Sequence, residues 1–342
     1  YKFMSKILVT GGVGYIGSHT VVDLIDNGYE VISVDNLVNS KSSAIDGIEK
    51  ITGVRLKNYE IDLCDLNALK KVFTDHPEIS GVIHFAALKA VGESVEEPVM
   101  YFRNNIVGLI NLVDCCIQSD VKHFIFSSSC TVYGSVDMLP CTENSPIKPA
   151  ESPYGRTKQI SEVIIEDSFK NTPIKSILLR YFNPAGAHIS NEIGENAKKV
   201  AMNIVPVITE TAMGKREKTV VFGDDFDTRD GSCVRDYIHI MDLADAHTKA
   251  LQYLETSEQA KALDIFNLGI GKGVTVLEAI KAFEKVSGLN LRYEIGPARP
   301  GDVIAIYADY SKAKEELGWN PIRGIEDIME SAWKWENRAK NS

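Results

Sequence analysis

The chain has 342 residues, 44% of them hydrophobic and 25% charged, and a formal net charge of −10 at pH 7. This composition is ordinary for a globular protein, and the length suits two domains better than one. The negative balance argues against a general nucleic-acid binder, which needs clustered Lys and Arg for its phosphate contacts.

Membrane segments and disulfides are also disfavoured by the composition. No apolar run approaches the roughly 18 residues that a membrane helix needs. The cysteines show neither CxxC spacing nor the density of a disulfide framework, so we predict reduced thiols. We expect a cytoplasmic protein with no nucleic-acid or membrane partner; its cysteines are Cys64, Cys115, Cys116, Cys130, Cys141 and Cys233.

The first strong pattern is a glycine motif between a strand and a helix. Residues 6–10 predict a short strand, and GGVGYIG (residues 11–17) leads into an apolar-periodic helix. In this context glycines let a dinucleotide pyrophosphate approach the helix N-terminus. A second strand, residues 31–34, ends at Asp35, whose carboxylate can accept ribose hydroxyls and repel a 2′-phosphate. The pattern favours NAD over NADP; a strand-end Asp that caps a turn is the alternative.

Two more strands are predicted further along the chain. Residues 56–61 read as a strand, followed by a helix at 66–74, and residues 81–87 read as a fourth strand. The small residues that end this fourth strand let a flat ring or a ribose approach the backbone. His84 within it is interpreted as a core histidine. Lys89 is a candidate to reach a phosphate or ribose, with a solvated lysine as the alternative.

The candidate catalytic residues follow a long apolar-periodic segment, residues 101–119. Ser129 comes directly after a buried strand, a place where α/β proteins meet ligands. Tyr154 and Lys158 lie four apart in a predicted helix that ends near residue 170, so they share one face. The ammonium favours the phenolate, so we expect it to lower the pKa of Tyr154 from its usual value near 10. The alternatives are a surface Tyr–Lys pair and a serine-rich turn.

The order of strands and helices predicts the fold class. Strands alternate with helices over the first 180 residues, which indicates a parallel sheet covered on both faces. We therefore predict an α/β fold: a Rossmann-type doubly wound parallel sheet in residues 1–182, and a smaller mixed α/β substrate domain in residues 183–342. Residues 236–268, with a strand at 264–268, are a segment that can return to the first domain. Further helices are predicted at 204–213, 241–254, 275–286 and 324–338.

The second part of the chain carries candidate substrate residues in or beside its loops. Two arginines from separate segments, Arg235 and Arg299, would suit a diphosphate, because guanidinium binds phosphate oxygens bidentately. Ordinary surface arginines are the alternative. A cleft between two domains is where ligands most often bind.

These patterns together resemble a known family. The glycine motif, SCTVYG (residues 129–134) and YGRTK (residues 154–158) resemble the extended short-chain dehydrogenase/reductases. Within that superfamily the chain is similar to the UDP-glucose 4-epimerases along nearly its whole length. The similarity runs through HFAALKAVGES (84–94), RYFNP (180–184) and VRDYIH (234–239), and the last two stretches are much more specific than the glycines.

The resemblance implies tightly bound NAD, no metal, and two substrates, UDP-glucose and UDP-galactose, that are interconverted by a homodimer. Tyr154 would be the base at the sugar 4-hydroxyl, Ser129 would hold that hydroxyl, and Lys158 would support the phenolate. The dimer would form through helices near 101–119 and 154–170. The implied NAD residues are Gly11, Gly14, Tyr15, Ile16, Gly17, Asp35, Asn36, Asp62, Leu63, Phe85, Ala86, Ala87, Lys89, Asn104, Ser129, Tyr154, Lys158 and Phe182. The implied substrate residues are Ser129, Tyr154, Asn183, Asn203, Phe222, Arg235, Arg299, Asp302 and Ile306.

Several alternatives share the scaffold. Nucleotide-sugar 4,6-dehydratases begin with the same oxidation, but they carry carboxylates after the residue that corresponds to Ser129, where this chain has Cys130 and Thr131. Ile306 falls where the family limits the group at sugar C2, so UDP-N-acetylhexosamines are expected to be poor substrates, and a UDP-N-acetylhexosamine 4-epimerase is the alternative. An NAD-sensing regulator is the non-enzyme alternative, although it would be expected to lose Tyr154 or Lys158.

Overall fold

The strands are short and rich in apolar and β-branched residues, which suit a buried pleated surface. The computed structural model describes residues 5–196, 201–298 and 303–338. Within these ranges the strands are β1 (Lys6–Thr10), β2 (Glu30–Val34), β3 (Lys57–Tyr59), β4 (Ile79–His84), β5 (His123–Ser129), β6 (Lys175–Tyr181), β7 (Asn183–Ala185), β8 (Thr219–Phe222), β9 (Val234–Arg235), β10 (Tyr237–His239), β11 (Leu263–Leu268), β12 (Val274–Thr275), β13 (Tyr293–Gly296) and β14 (Ala305–Ile306).

Helices fill most of the connections. In the same described ranges they are α1 (Tyr15–Asp26), α2 (Ser43–Thr52), α3 (Leu66–Asp75), α4 (Val91–Glu96), α5 (Pro98–Phe102), α6 (Gly108–Gln118), α7 (Pro153–Phe169), α8 (Ile204–Ala212), α9 (Ile240–Thr256), α10 (Val276–Ser287), α11 (Ser311–Glu316) and α12 (Ile325–Asn337), with a π-helical turn (Arg103–Val107) between α5 and α6. The start of α7 is capped, since the Ser152 hydroxyl accepts a hydrogen bond from Gly155 N at 3.1 Å. Such a cap satisfies one of the N–H groups that the first turn leaves unpaired.

A parallel sheet organises the fold. Across the described residues it joins seven strands in the order β11-β6-β5-β4-β1-β2-β3, and each pairing is parallel. The strand order reverses between β1 and β4, and open α/β sheets bind ligands beyond the carboxyl ends of the strands at such a point. The predicted Rossmann-type doubly wound sheet is confirmed, and the strand predicted at 264–268 does join it as β11.

Both faces of this sheet are covered. Ile7 and Val9 of β1 lie in one apolar core with residues of α1 and α9. Leu8, between them, lies in a second core with residues of α3, α6 and α7. Because successive strand residues point to opposite faces, this alternation places β1 in the middle of the fold.

The remaining strands form small sheets beside the main one. β8 pairs with β13, β7 with β10, and β9 with both β12 and β14. Their core contains Ile208 of α8, Phe283 of α10 and Ile328 of α12. A separate small cluster packs Cys130 and Phe182, which follow β5 and β6, against Ile306 of β14. The C-terminal strands therefore contact the carboxyl ends of the main sheet.

The predicted helices are confirmed, with ends that differ by one or two residues, and three details differ from the sequence predictions. β3 is shorter than the predicted 56–61. β4 ends at His84 rather than residue 87, because Phe85 N and Ala86 N both bond to the Thr10 carbonyl and leave the ladder. The 101–119 segment is interrupted by the π-helical turn. No helix in the described part of the chain is both long and apolar enough to span a membrane.

Candidate active site

Ser129, Tyr154 and Lys158 meet where β5 ends against α7. Ser129 is the last residue of β5, and Tyr154 lies in the first turn of α7. The Ser129 hydroxyl is close enough to the Tyr154 phenol to lower its pKa, and it accepts a 3.3 Å hydrogen bond from Thr131 N. Lys158 is one turn further along, with Nζ 5.9 Å from the centre of the Tyr154 ring. The structure thus brings together the three side chains that the sequence separates by up to 29 residues.

Lys158 is almost fully buried, with 4% of its surface exposed. Its Nζ donates a 2.6 Å hydrogen bond to the Ser127 carbonyl and lies 4.7 Å from the centre of the Phe126 ring. Burial lowers the pKa of Lys158 to about 7, and the negative charge of Glu162 opposes this fall. The ammonium is therefore easily lost near neutral pH, and its charge depends on its neighbours.

The expected effect of Lys158 on the phenol is not found. Burial raises the pKa of Tyr154 to about 12, with the Ser129 hydroxyl opposing the rise and Cys130 adding to it. The prediction that Lys158 lowers the pKa of Tyr154 is wrong when only groups of the protein act on the phenol. The reason is that desolvation penalises the phenolate, while Lys158 directs its ammonium to the Ser127 carbonyl. A base at Tyr154 therefore needs additional positive charge in the site.

The glycine motif makes a tight turn at the carboxyl end of β1. Gly11 has φ +73°, and a Cβ there would lie 2.9 Å from Ala86 N, so any side chain would be strained. A Cβ on Gly17 would lie 2.0 Å from the Gly11 carbonyl oxygen. Gly14 is the N-cap of α1 and makes no side-chain capping bond. The first turn of α1 thus offers backbone N–H groups, with the positive end of the helix dipole, to an anion.

Asp35 occupies the end of β2 and is held in place by the backbone. Its carboxylate accepts hydrogen bonds from Val13 N at 3.2 Å, from Leu37 N at 2.9 Å and from the Ser40 hydroxyl at 2.7 Å. Next to it, Asn36 Nδ2 lies 3.5 Å from a carboxylate oxygen of Asp62. The carboxyl ends of β2 and β3 therefore present two carboxylates and an amide beside the glycine turn.

Tyr15 and Lys89 lie where the first sheet meets the loop that follows β7. The Tyr15 hydroxyl donates a 2.6 Å hydrogen bond to the Gly186 carbonyl. Lys89 Nζ is 5.8 Å from the centre of the Tyr15 ring and 3.5 Å from Glu195 Oε1. Lys89 is exposed but has an acidic partner, which keeps a positive charge beside α1.

The other predicted cofactor residues lie along the same edge of the sheet. Phe85, Ala86 and Ala87 follow β4, and Phe182 follows β6. Asn104 lies in the π-helical turn, and its carbonyl is 3.9 Å from the Cys64 sulfur, next to Leu63. Ile16 is in the first turn of α1.

Four of the predicted substrate residues come from separate C-terminal segments. Asn183 begins β7, and its side-chain amide donates to the Asp236 carbonyl at 3.4 Å. Asn203 is the N-cap of α8, with its amide 3.5 Å from Glu195 Oε1. Arg235 of β9 donates to the Val303 carbonyl at 2.6 Å, and Phe222 is the last residue of β8. Arg299 and Asp302 lie outside the described residues.

Ile306 is brought to the catalytic end of β5 by strand pairing. It lies opposite Arg235 in the parallel β14–β9 pair, and 6% of its surface is exposed. It shares an apolar cluster with Cys130 and Phe182. Ile306 is 177 positions from Ser129 in the chain, yet it packs in one cluster with Cys130, the residue that follows Ser129.

Sequence reasoning missed three polar residues behind this site. Asn105 is buried in the π-helical turn and bonds to both backbone groups of Leu88 and to the Thr157 hydroxyl. Glu162 and Arg180 form a buried ion pair under α7. One signal was available for each of these two: Glu162 is four residues after Lys158, and Arg180 is a charge in an otherwise apolar strand. The described residues contain no cluster of three or more His, Cys, Asp or Glu suited to a metal.

Comparison with known proteins agrees with this geometry. A family model described as GDP-mannose 4,6 dehydratase matches residues 8–332. The UDP-glucose 4-epimerase of Erwinia amylovora is 48% identical, over 97% of this chain and 98% of the relative, and that of Bacillus subtilis is 48% identical over 98% of both. The chain belongs to the UDP-glucose 4-epimerase family. A structure of the Bifidobacterium longum UDP-glucose 4-epimerase in complex with NAD⁺ and UDP superposes with a TM-score of 0.94, at 43% identity, over 98% of this chain and 99% of that one.

The residues after Ser129 fit an epimerase better than a dehydratase. Elimination of water requires an acid and a base beside the sugar, and the turn after β5 instead carries Cys130 and Thr131. Burial raises the pKa of the Cys130 thiol to about 12, so it stays protonated and is a poor proton donor at neutral pH. Of the side chains in this turn, none supplies a carboxylate pair.

Proposed function

We propose that the protein interconverts UDP-glucose and UDP-galactose by transient oxidation at sugar C4 with tightly bound NAD. The observation that carries the proposal is that the Ser129 hydroxyl acts on the Tyr154 phenol, with Lys158 one helical turn away, at the sheet edge that holds the glycine turn. A phenol, a hydroxyl and an ammonium at this place suit proton transfer to and from a sugar hydroxyl. The family, and the relatives' structures with NAD, support the same reaction.

The residues at the sheet edge fit NAD. A pyrophosphate would lie at the first turn of α1, where Gly11 and Gly17 leave no room for side chains and N–H groups are offered. Asp35 and Asn36 would hold the adenosine ribose, because a carboxylate there accepts the two ribose hydroxyls and repels a 2′-phosphate. Lys158 would bind the nicotinamide ribose. The other residues of this site are Gly14, Tyr15, Ile16, Asp62, Leu63, Phe85, Ala86, Ala87, Lys89, Asn104 and Phe182.

The protein's own part in the reaction is to hold the sugar and to move one proton. NAD, when bound at this site, would supply a hydride acceptor for C4 and a donor for the return of that hydride. Tyr154 takes the proton of the 4-hydroxyl, and Ser129 holds that oxygen by its hydroxyl. Lys158 stabilises the phenolate, and the positive charge of the oxidised cofactor adds to it, which offsets the effect of burial on Tyr154. The 4-keto sugar turns about its link to the diphosphate before the proton is returned.

Inversion by rotation requires a firm anchor for UDP and few contacts to the hexose. Asn183, Asn203, Phe222 and Arg235 come from four separate segments and would hold UDP, together with Arg299 and Asp302. Arg235 suits a phosphate oxygen, because guanidinium and phosphate form two parallel hydrogen bonds. The hexose would lie beside Cys130 and Ile306, whose apolar side chains allow it to turn.

Ile306 also bears on which sugars are accepted. Its branched side chain packs with Cys130 and Phe182 and fills part of the space next to the catalytic residues. UDP-glucose and UDP-galactose are the principal substrates, and the larger UDP-N-acetylhexosamines are used poorly. Equal turnover of UDP-N-acetylglucosamine would contradict this assignment.

Cofactor binding and substrate binding are assigned to different parts of the chain. Residues 1–182 form the NAD-binding domain, and residues 183–342 bind the UDP-sugar, with α9 and β11 returning to the first domain. The protein works as a cytoplasmic homodimer that pairs through α5, α6 and α7. Each of these helices exposes an aliphatic side chain that a partner could cover: Val99, Ile110 and Val163 are 66%, 47% and 56% accessible. A Val163→Glu variant that still sediments as a dimer would contradict this interface.

Two measurements test the function directly. Purified protein is given UDP-galactose without added NAD, the reaction is stopped, and the UDP-glucose formed is then measured separately with UDP-glucose dehydrogenase and NAD⁺. The same preparation is denatured without added cofactor, and the supernatant is assayed for NAD. We expect turnover without added NAD and close to one NAD per chain. A full complement of NAD without turnover would favour an NAD-sensing regulator instead.

A further inference from the structure

A buried ion pair lies behind the catalytic helix, and the reaction described above does not use it. Glu162 of α7 and Arg180 of β6 have side chains that are 8% and 3% exposed. Their contact is bidentate: Arg180 Nε donates to Glu162 Oε1 at 2.9 Å, and Arg180 Nη2 donates to Oε2 at 2.6 Å. Two parallel hydrogen bonds between charged groups fix both the distance and the orientation of the partners.

The pair also ties α7 to the strand that carries Ser129. The Ser128 hydroxyl donates a 2.5 Å hydrogen bond to Glu162 Oε1. Ser128 lies opposite Arg180 in the β5–β6 pair, so both side chains rise from the same face of the sheet toward α7. Glu162 therefore bonds at once to the residue before Ser129 and to the neighbouring strand.

The network extends one strand further. Arg180 Nη1 is 3.3 Å from the Tyr133 hydroxyl, which donates a 2.6 Å hydrogen bond to Asn267 Oδ1 of β11. Asn267 lies opposite Arg180 in the β6–β11 pair. Three adjacent strands and α7 are thus joined by hydrogen bonds that water does not reach.

Glu162 also acts on the catalytic lysine through its charge. It is four residues after Lys158, so the two side chains share a face of α7. Its carboxylate raises the pKa of Lys158 against the lowering that burial causes. The other groups around Lys158 are the ring of Phe126 and the carbonyl of Ser127 from β5, His84 from β4, and Tyr154 on its own helix. Burial lowers the pKa of His84 to about 3, so this imidazole is neutral.

Glu162 is thus the carboxylate that raises the pKa of Lys158, and its partners Ser128 and Arg180 are buried. Arg180, Tyr133 and Ser128 are the groups that face it from β6, from the turn after β5 and from β5. Burial raises the pKa of Tyr133 to about 12, so this phenol stays neutral.

We propose that Glu162, clamped by Arg180, is a positioning residue for the reaction: it locks α7 onto the strand that ends in Ser129 and keeps a carboxylate one helical turn from Lys158. This inference rests on the proposed epimerase function. Stability alone does not explain the arrangement, since a buried ion pair is often replaced by apolar residues at no cost. Apolar residues in place of the pair would not supply a negative charge near Lys158.

The test is the pH dependence of turnover in Glu162→Gln, which keeps the shape of the side chain and removes its charge. The site becomes more positive, so the Tyr154–Lys158 pair loses its first proton at lower pH. We expect the acid limb of kcat/KM for UDP-galactose to move down by about one to two pH units, because the lost charge lies one helical turn from Lys158. Because a smaller fraction of Lys158 keeps its proton at neutral pH in this variant, kcat on the plateau falls about 10- to 100-fold.

A second readout does not depend on turnover. The ultraviolet absorbance of tyrosinate is titrated in Glu162→Gln, with a Tyr154→Phe background subtracted. Because the site becomes more positive, the Tyr154 signal is expected to appear at a pH about one unit lower than in the native protein, where the pKa of Tyr154 is about 12. Glu162→Asp keeps the charge and is expected to restore both the acid limb and this signal. A folded Glu162→Gln protein with the native acid limb and signal would overturn the inference, as would Glu162→Asp behaving like Glu162→Gln.

A matched control is available at another buried carboxylate. Asp242 is 4% exposed, pairs with Arg323 and accepts N–H groups from residues 322 and 323. Asp242→Asn is expected to lower the unfolding temperature and to leave the pH profile unchanged; an equal shift of the acid limb in this variant would also overturn the inference.

Failure of Glu162→Gln to fold would not end the test. The double variant Glu162→Gln/Arg180→Met removes the unpaired buried cation, and its acid limb is expected between those of the native and single-variant proteins, with reduced kcat. Native kcat and pH profile in the double variant would overturn the inference. Absence of UDP-galactose turnover in the native protein would instead refute the proposed function.

Discussion

Replacement of Tyr154 by Phe tests the centre of the proposed chemistry. The ring is retained, so packing in the first turn of α7 changes little, and what is lost is the phenol oxygen, on which the Ser129 hydroxyl acts. Removal of a positioned general base costs typically 10²- to 10⁴-fold, which is about 3 to 5 kcal/mol of transition-state stabilisation. We expect kcat to fall by that factor while NAD stays bound.

The structure indicates why this loss is large. A phenol with a pKa of about 12 is ionised in about one molecule in 10⁵ at pH 7, a preference of about 7 kcal/mol against the base form. Lys158 and the oxidised cofactor have to offset most of that preference in the native site. Phenylalanine has no oxygen that this positive charge could stabilise as an anion, so the remaining groups do not substitute for Tyr154.

The assay compares turnover of UDP-galactose with the NAD content of denatured protein in the same preparations. Tyr29→Phe is the matched control, because Tyr29 is fully buried and its hydroxyl donates a 2.8 Å hydrogen bond to Glu255, away from the catalytic residues. This control is expected to lose about 1 kcal/mol of stability and no turnover. A Tyr154→Phe protein within tenfold of the native rate would refute the assignment of the base.

Three other variants probe the cofactor, the lysine and the sugar pocket. Asp35→Ala leaves three donors without their acceptor; we expect NAD to be lost on gel filtration and discrimination against NADP to weaken, and unchanged retention would count against its role. Lys158→Met should nearly abolish turnover yet raise the free energy of unfolding, because burial lowers the lysine pKa from 10.5 to about 7 in the folded protein. The gain in the free energy of unfolding is at most about 5 kcal/mol at and below pH 7. It declines to zero as pH rises to 10.5, where the unfolded chain also loses the proton. Chemical denaturation at several pH values measures the difference in the free energy of unfolding between this variant and the native protein. A difference that does not depend on pH would show that the lowered pKa of Lys158 is not its cause. Ile306→Ala should raise kcat/KM for UDP-N-acetylglucosamine by about tenfold relative to UDP-glucose, and an unchanged ratio would remove Ile306 from the sugar pocket.

Much of the fold was accessible from local patterns. The alternation of apolar strands with periodic helices was sufficient for the parallel sheet, since each element reports its own period of 2 or 3.6 residues. The glycine motif predicted the turn after β1 because only glycine fits so close to Ala86 N. The π-helical turn was not predictable in this way, because a single extra residue in a helix barely alters its apolar period.

The candidate site was predicted less completely than the fold. Tyr154, Lys158 and Ser129 were identified from spacing and from the resemblance, and the structure brings them together. Asn105 was missed because its partner Thr157 lies on another helix. Glu162 offered only its spacing from Lys158, and its partner Ser128 lies on a strand that is distant in the chain. A buried polar residue can be recognised only when the group that it bonds to is known.

The sequence by itself determined the residue types, the order of strands and helices, and the family to which the chain belongs. Only the tertiary structure decided the electrostatics of the site: that burial moves the pKa of Tyr154 up and that of Lys158 down, and that Glu162 and Arg180 stand behind them. The physical reason is that a pKa depends on desolvation and on charges within a few ångströms. Those surroundings are built from segments that lie far apart in the chain.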